Sequence, residues 1–426
     1  MLMAAIFVAL LLMISINVPI AVALAMAGVI GLLATEGTDS LVTIALDMYD
    51  GSTKFSLIAI PMFVLAGAIM NAGGITDRLI NFVTSLIGFI RGGLAMVNIG
   101  VSLFFAEISG SAVADVAAMG SILIPQMKKR GYSKEFSAAV TSSSASLAII
   151  IPPSIPMILY AASANTSVEQ LFVAGVVPGL MGAGGLMGVA YFFARRYNFP
   201  TEDAFNIPRI RETFVDALPA FTLPVIILGG IFGGFVTATE AAGLAVLAAV
   251  VVSAWYRNIN WKHLRTAMLD GGMQTAVVML LVAASVLMGG FLTRAQIPQQ
   301  LAESILSITT QQWAILLILN FFFLIIGFFL HSAAAIILVI PIVIPLINAA
   351  GIDPVHFGLV VTLNLAIGQQ TPPVASVLIT ACSVARANIW EVSKVNIWFV
   401  GVLLFVLMIS TYVPAVPMFL VEYFYR

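Results

Sequence analysis

Charge is what this sequence has least of. Only 9% of its 426 residues are charged while 61% are hydrophobic, against roughly 25% charged in an average soluble domain. With a mean hydropathy of +1.10, the chain cannot have water as its main solvent. Neither sign of charge dominates, the net charge being -1, so there is no basic field to gather phosphates and nucleic acid is excluded as a partner. A single cysteine, Cys382, permits no internal disulfide. The three histidines, His263, His331 and His356, show no metal-ligand spacing with it. A G-x-x-x-x-G-K-[ST] loop is missing too, which excludes nucleotide hydrolysis by that route.

What is present is long apolar blocks, among them Phe55 to Met70, Val168 to Phe193, Phe221 to Val236, Ala238 to Trp255, Ala276 to Leu292 and Ile397 to Phe419. Their length, about 20 residues, is what a helix needs to cross roughly 30 Å of hydrocarbon. Barrel strands would be about 10 residues with alternating polarity, a pattern not found here. Met1 to Ile16 resembles a signal peptide but lacks a basic n-region and runs through Asn17-Val18-Pro19 into a second apolar block, so it is read as structure.

The chain repeats itself at an offset of 220 residues. Ile122, Ile124 and Pro125 fall on Ile342, Ile344 and Pro345; Gly131 falls on Gly351, and Pro152-Pro153 on Pro372-Pro373. The copies differ in charge. Lys128, Lys129, Arg130 and Lys134 follow Pro125, whereas Leu346 to His356 contains no Lys or Arg. By the positive-inside rule the first connection is cytoplasmic and the second lies on the far side, which inverts the copies. Placing Arg195 to Arg211, Arg257 to Arg265 and Arg386 to Lys394 in the cytoplasm as well satisfies every loop, with both termini outside. Inverted repeats with interrupted helices are the architecture of secondary transporters. A channel would need a ring of charge or a carbonyl filter, and neither is visible.

Each repeat carries two interruptions. The first is a polar tip, Ser109-Gly110-Ser111-Ala112 and its counterpart His331-Ser332-Ala333, set between apolar pieces of about 16 residues that suit a re-entrant hairpin. The second is a crossing helix expected to unwind at Thr141 to Ser146 ahead of Pro152-Pro153, and at Asn364 to Thr371 ahead of Pro372-Pro373. A Pro-Pro pair frees carbonyls about four residues upstream, and in lipid those must line an enclosed or wet cavity. Free carbonyls and Ser or Thr hydroxyls suit Na⁺; half-helix N-termini at the tips suit a carboxylate. Ser142, Ser143 and Ser144 taken singly fit tight helix packing equally well. Asp115, in an apolar half-helix, is a functional candidate. Glu107 is either functional or a capping residue, and Arg294 either pairs with a substrate carboxylate or anchors its helix.

The expected fold class is an all-α polytopic membrane protein with two inverted repeats, each a re-entrant hairpin and a broken helix. Residues 1–73 would be scaffold, 74–92 an amphipathic arm and 93–165 the first transport half (hairpin 93–129, broken helix 134–165). Residues 166–294 would return to scaffold and 295–311 would form the second arm. Residues 312–390 would be the second transport half (hairpin 312–349, broken helix 354–388) and 391–426 one final membrane helix.

The strings SGSAVADVAAMGSILIPQM (109–127), IIPPSIPMI (150–158), LFVAGVVPGL (171–180), GIDPVHFG (351–358) and GQQTPPV (368–374) resemble those of the large membrane subunit of tripartite ATP-independent periplasmic (TRAP) transporters. That resemblance covers nearly the whole chain. It implies a sodium-driven elevator, related in build to the ion transporter superfamily, in the bacterial inner membrane. Its implied partners are a small four-helix membrane subunit and a soluble periplasmic binding protein that delivers a carboxylate such as sialic acid or a C4-dicarboxylate. The alternative is a stand-alone Na⁺/dicarboxylate or citrate carrier of similar hairpin build; an enzyme is not expected. No cofactor is implied beyond Na⁺, two or more ions serving as coupling ions.

With the resemblance added, Ser109, Gly110, Ser111, Ser154, Arg294, His331 and Ser332 become candidates for the substrate. Ser109, Ser111, Asp115, Ser144, Ser146, Asn364, Gly368 and Thr371 become candidates for sodium, between the helix breaks at Pro152, Pro153, Pro372 and Pro373. The chain departs from the family pattern at two places. His331 stands where the family usually has Asp, which implies an altered ligand set and sensitivity to pH near neutrality. Ala375 replaces the usual glycine after TPPV.

Overall fold

A computed structural model describes residues 2–16, 18–201, 205–257 and 261–425, without the side chains of 2–4, 7, 11, 14, 15, 41, 43, 105–109, 263 and 267. Among the described residues all regular structure is helical. Nine of these helices are long and apolar enough to cross a membrane. The N-terminal group is α1 (Leu2–Ser15), α2 (Ile20–Glu36), α3 (Ser40–Ser52) and α4 (Ala59–Ala72). Next comes α5 (Ile75–Ile87), whose Asp77, Arg78 and apolar residues segregate to opposite faces, then the antiparallel pair α6 (Gly93–Ser109) and α7 (Ala112–Lys129). The broken helix follows as α8 (Lys134–Ala145) and α9 (Ile155–Ala164).

Between the repeats lie α10 (Val168–Arg196), α11 (Ile207–Pro224), its short continuation α12 (Gly230–Phe232), and α13 (Ala238–Trp255). The second repeat is α14 (Trp261–Arg294), α15 (Ile297–Ile308), the pair α16 (Gln312–Phe329) and α17 (Ser332–Ala349), and the broken helix α18 (Pro354–Gly368) and α19 (Ser376–Ala385). The chain closes with α20 (Ile389–Tyr412) and α21 (Ala415–Tyr425). The 220-residue offset places α7 on α17 residue for residue.

The repeats interlock. Each hairpin packs against the second half of the other repeat's broken helix: α7 lies on α19, and α17 lies on α9. Burial in the apolar interior holds them, since Val116, Leu123, Ile124, Ile336, Ile340 and Val343 are all shielded. The two ends of the molecule can be told apart by what touches what. At one end Lys128 Nζ donates to the Ala385 carbonyl (3.2 Å), Arg91 meets Asn198, and Arg78 stacks over Tyr256 while pairing with Asp216. At the other end Lys54 meets Ala162, Tyr160 Oη donates to the Pro354 carbonyl, and Tyr425 Oη donates to the Ile231 carbonyl. The first hairpin is rooted at the basic end, the second at the opposite one.

Two elements differ from the sequence expectation. Residues 391–426 do not make one helix, because α20 ends at Tyr412 and the chain turns at Val413-Pro414 before α21. Proline has no N–H to continue the ladder. The stretches before the Pro-Pro pairs unwind only at their ends. Thr141 to Ala145 and Asn364 to Gly368 stay α-helical; the first passes through a 3-10 turn at Ser146–Ile149 to a break at 150–154, and the second breaks at 369–375. Back-bonding hydroxyls are compatible with helix here: Thr141 Oγ1 donates to Ser137 O (2.8 Å) and Ser146 Oγ to Ser142 O (3.2 Å).

Candidate functional site

Both hairpin tips line one cavity of about 430 Å³. Gly110 and Ser111 come from the first tip, His331 and Ser332 from the second, and Ile155 and Pro156 from the start of α9; Gln274 and Val277 of α14 supply the facing wall. Three helices begin here. Ser111 caps α7, its Oγ facing Ala114 N at 3.5 Å; Ser154 caps α9, its Oγ accepting from Met157 N at 3.4 Å; His331 precedes α17. The positive dipole ends of these helices point at a cavity whose described lining holds no Lys or Arg. Gly110 is required by geometry. Its φ is +57°, and a Cβ there would stand 3.0 Å from Ile155 N and 3.1 Å from Pro153 O, so the first tip presses directly onto the first helix break.

The breaks dispose of their freed carbonyls locally. Pro153 cannot donate to Ile149 O, and Ser154 Oγ donates to it instead at 2.7 Å. In the second repeat Pro373 cannot reach Gln369 O, which accepts from Val377 N at 3.1 Å, while Gly368 O accepts from Thr371 N at 3.0 Å. The second tip is fastened to its own break by Ala375 N donating to Phe328 O at 3.3 Å. Ala375 has φ +50°, the left-handed region in which glycine costs less.

The other sequence-picked residues are distributed as follows. Asp115 is buried in the first turn of α7, where a negative charge suits the helix N-terminus. Ser144 Oγ donates to Asn98 Oδ1 at 3.0 Å and accepts from Ser102 Oγ, and Ser146 is bonded within α8's last turn, so both hydroxyls are engaged in holding helices. Asn364 Nδ2 donates to Asn320 Oδ1 (2.7 Å) and to Val360 O, leaving its buried Oδ1 as an acceptor with no hydrogen-bond partner among the described residues. Thr371 Oγ1 donates to Ile367 O at 3.1 Å. Gly368 lies backbone to backbone against Gly327. Glu107 and Ser109 have side chains outside the described residues.

Arg294 is not brought to the tips. It lies at the far end of α14, lining a different cavity, and donates to Glu36 and, at 3.4 Å, to Asp47. Two carboxylates on α2 and α3 already neutralise it. Asn98, Asn396 and Gln274 escaped the sequence reading. Asn98 Nδ2 donates to Thr141 Oγ1 at 2.7 Å, Asn396 Oδ1 and Gln370 Oε1 each lie 2.8 Å from Ser143 Oγ, and Gln274 faces the tips. Ser143 thereby links the first repeat's helix to the second repeat's break, in keeping with the packing role its sequence allowed. An isolated Asn or Gln inside an apolar block was the available signal.

Two inverted repeats whose hairpin tips line one cavity, beside the start of the first broken helix's second half, define an integral membrane transporter of the inverted-repeat class. The model of the tripartite ATP-independent periplasmic transporter DctM component matches residues 7–416, so the chain belongs to that family. It is 38% identical over 95% of its length to the isethionate TRAP transporter permease protein DctMQ of Oleidesulfovibrio alaskensis, spanning 64% of that longer relative. It is 35% identical to the C4-dicarboxylate TRAP transporter large permease protein DctM of Vibrio cholerae, covering 99% of this chain and 97% of that one. These relatives are permease subunits, not enzymes. Among solved structures, the Alcanivorax borkumensis YdaH transporter shares the fold, with a TM-score of 0.65 at 14% identity and 90% of each chain covered.

Proposed function

We propose that this chain is the large permease of a three-component importer that carries a small organic acid anion into the cell on a sodium gradient. The observation that carries the reading is the convergence of three helix N-termini on the tip cavity. Such a site favours a carboxylate or sulfonate over a neutral or cationic solute. Isethionate and C4-dicarboxylates, the cargoes in the relatives' names, are anions of this kind. Sialic acid carries the same carboxylate.

Sodium coupling is supported by the chemistry around the breaks. Hard oxygens that could ligate two or more Na⁺ stand at the first tip (Ser111) and beside the breaks (Ser146, Thr371, and the Oδ1 of Asn364, which has no hydrogen-bond partner among the described residues). Alternation between the two sides would move the hairpin and broken-helix body, residues 93–165 and 312–390, against the flanking helices. The partners are a small membrane subunit, in keeping with the longer relative named DctMQ, and a periplasmic binding protein. With the basic end of the molecule in the cytoplasm of a bacterial inner membrane, both termini lie outside.

The test is uptake into proteoliposomes holding both membrane subunits, with binding protein and radiolabelled isethionate, succinate or sialic acid outside. An inward Na⁺ gradient should drive accumulation of one of them only when the binding protein is present. Uptake indifferent to the gradient would remove sodium coupling, and full-rate uptake without the binding protein would make the chain a stand-alone carrier.

A further inference from the structure

Helices α9 and α17 each line two cavities. Their beginnings, at Ile155 and Ser332, face the tip cavity; further along, Ala162, Ile337 and Pro341 line a second cavity of about 370 Å³. Helix α14 passes both, with Gln274 at the first and Arg294 at the second. Across the second cavity stand Lys54 and Leu57.

Lys54 and the α14 wall of the tip cavity hold equivalent places in the two repeats. A left-handed residue precedes each amphipathic arm, Gly74 (φ +70°) before α5 and Gln296 (φ +54°) before α15. Lys54 precedes Gly74 by the same count (74 − 54 = 20) as Ala276 precedes Gln296 (296 − 276 = 20). Ala276 sits between Gln274 and Val277, which wall the tip cavity. Inverted repeats exchange conformations as access alternates. By that symmetry the Lys54 segment would face the tips in the opposite state as Gln274 and Val277 face them in this one.

Here Lys54 is occupied. Its Nζ donates to Ala162 O at 2.7 Å and lies 3.5 Å from Asn165 Oδ1, at the C-terminal end of α9, where a cation offsets the helix dipole. The cavity's other cation, Arg294, is held by Glu36 and Asp47. Among the described residues no carboxylate pairs with Lys54.

We propose that Lys54 has two positions in the transport cycle: a latch on the end of α9 in this state, and a contact to the anionic group of the cargo in the opposite state. This rests on the transport reading above. Moving the tips along α17 by the separation of Ser332 from Ile337 and Pro341, five to nine residues, is a displacement of about 7–14 Å at 1.5 Å per residue. Such a slide brings the tip cavity level with Lys54 and carries the Ala162 carbonyl out of reach. Three ammonium donors are then free, facing a cargo otherwise held by helix N-termini and hydroxyls.

Geometry and contact are tested separately. In a Cys382→Ser background reconstituted in vesicles, Lys54→Cys is paired with Ala162→Cys or with Ala333→Cys at the second tip, and oxidised with copper phenanthroline. Both pairs should cross-link, in proportions that shift with Na⁺ and cargo; a 54–162 bond with no 54–333 bond under any condition overturns the second position. In transport, Lys54→Gln should raise the KM for anion offered on the Lys54 side tenfold or more, with less than twofold change for exchange from the other side. Lys54→Arg should restore it. Equal changes from both sides, or none, overturn the contact. A wild-type protein indifferent to Na⁺ would sink the sodium reading while the cross-links still decide where Lys54 goes.

Discussion

Ser144 and Asn364, 220 residues apart, grip equivalent partners: Ser144 Oγ donates to Asn98 Oδ1 on α6 at 3.0 Å, and Asn364 Nδ2 donates to Asn320 Oδ1 on α16 at 2.7 Å. In each repeat a polar residue near the end of the unbroken half-helix is tied to an asparagine on the first hairpin helix. All four side chains are buried. Each hairpin is thus clamped to its own broken helix by charge-free hydrogen bonds between buried side chains.

Replacing Asn98 with Ala removes one buried hydrogen bond each from Thr141 and Ser144, which keep their bonds to Ser137 and Ser102. Each lost bond is worth about 0.5–1.5 kcal/mol, so the thermal unfolding temperature in detergent should fall below wild type. An unchanged melting curve would show that water or another group replaces the asparagine.

Gly368 tolerates no side chain. A Cβ there would stand 2.5 Å from Gly327 Cα, and backbone on both sides leaves nothing to yield. Gly368→Ala should abolish the monodisperse peak in size-exclusion chromatography. Gly401→Ala, whose Cβ meets nothing within 4 Å, is the matched control and should be recovered at wild-type yield.

Ser111 and Thr371 sit at a tip and at a break, one from each repeat. Each substitution to Ala should raise the Na⁺ concentration for half-maximal uptake several-fold. Ser111→Ala should also lose about 1 kcal/mol of stability as α7 loses its cap. If sodium titrations of uptake for both variants overlay wild type, neither residue binds the ion.

Arg294 is expected to matter for structure. Its pairs with Glu36 and Asp47 are about one-third exposed, where screening limits an ion pair to about 0–1 kcal/mol. Arg294→Ala should leave the KM for the anion within twofold. A double-mutant cycle with Asp47→Ala, read by thermal unfolding, should give a coupling of about 0.5–1 kcal/mol. A tenfold rise in KM would return Arg294 to the cargo's path.

Much of this was written in one dimension. The apolar blocks, the repeated proline pairs and the lopsided basic loops dictate an inverted-repeat membrane protein, because hydrocarbon thickness, missing N–H groups and charge at the membrane face act on short stretches of chain. The tips at Ser111 and Ser332 were legible for the same reason: a polar triplet between two apolar half-spans has nowhere to go but a bend.

Which hydroxyls remain available was decided only by tertiary packing. Ser144 is engaged by an asparagine from another helix, and Ser154 by the carbonyl its neighbouring proline abandoned. Arg294 read as either a cargo ligand or a helix anchor, and α2 and α3 bring two carboxylates to it. Lys54 drew no notice until folding set it against the end of α9. Local sequence fixes a residue's donors and acceptors, but many of the groups that satisfy them, such as Glu36 and Asp47 for Arg294 and Ala162 for Lys54, come from segments more than a hundred residues away that only the packed helices bring together.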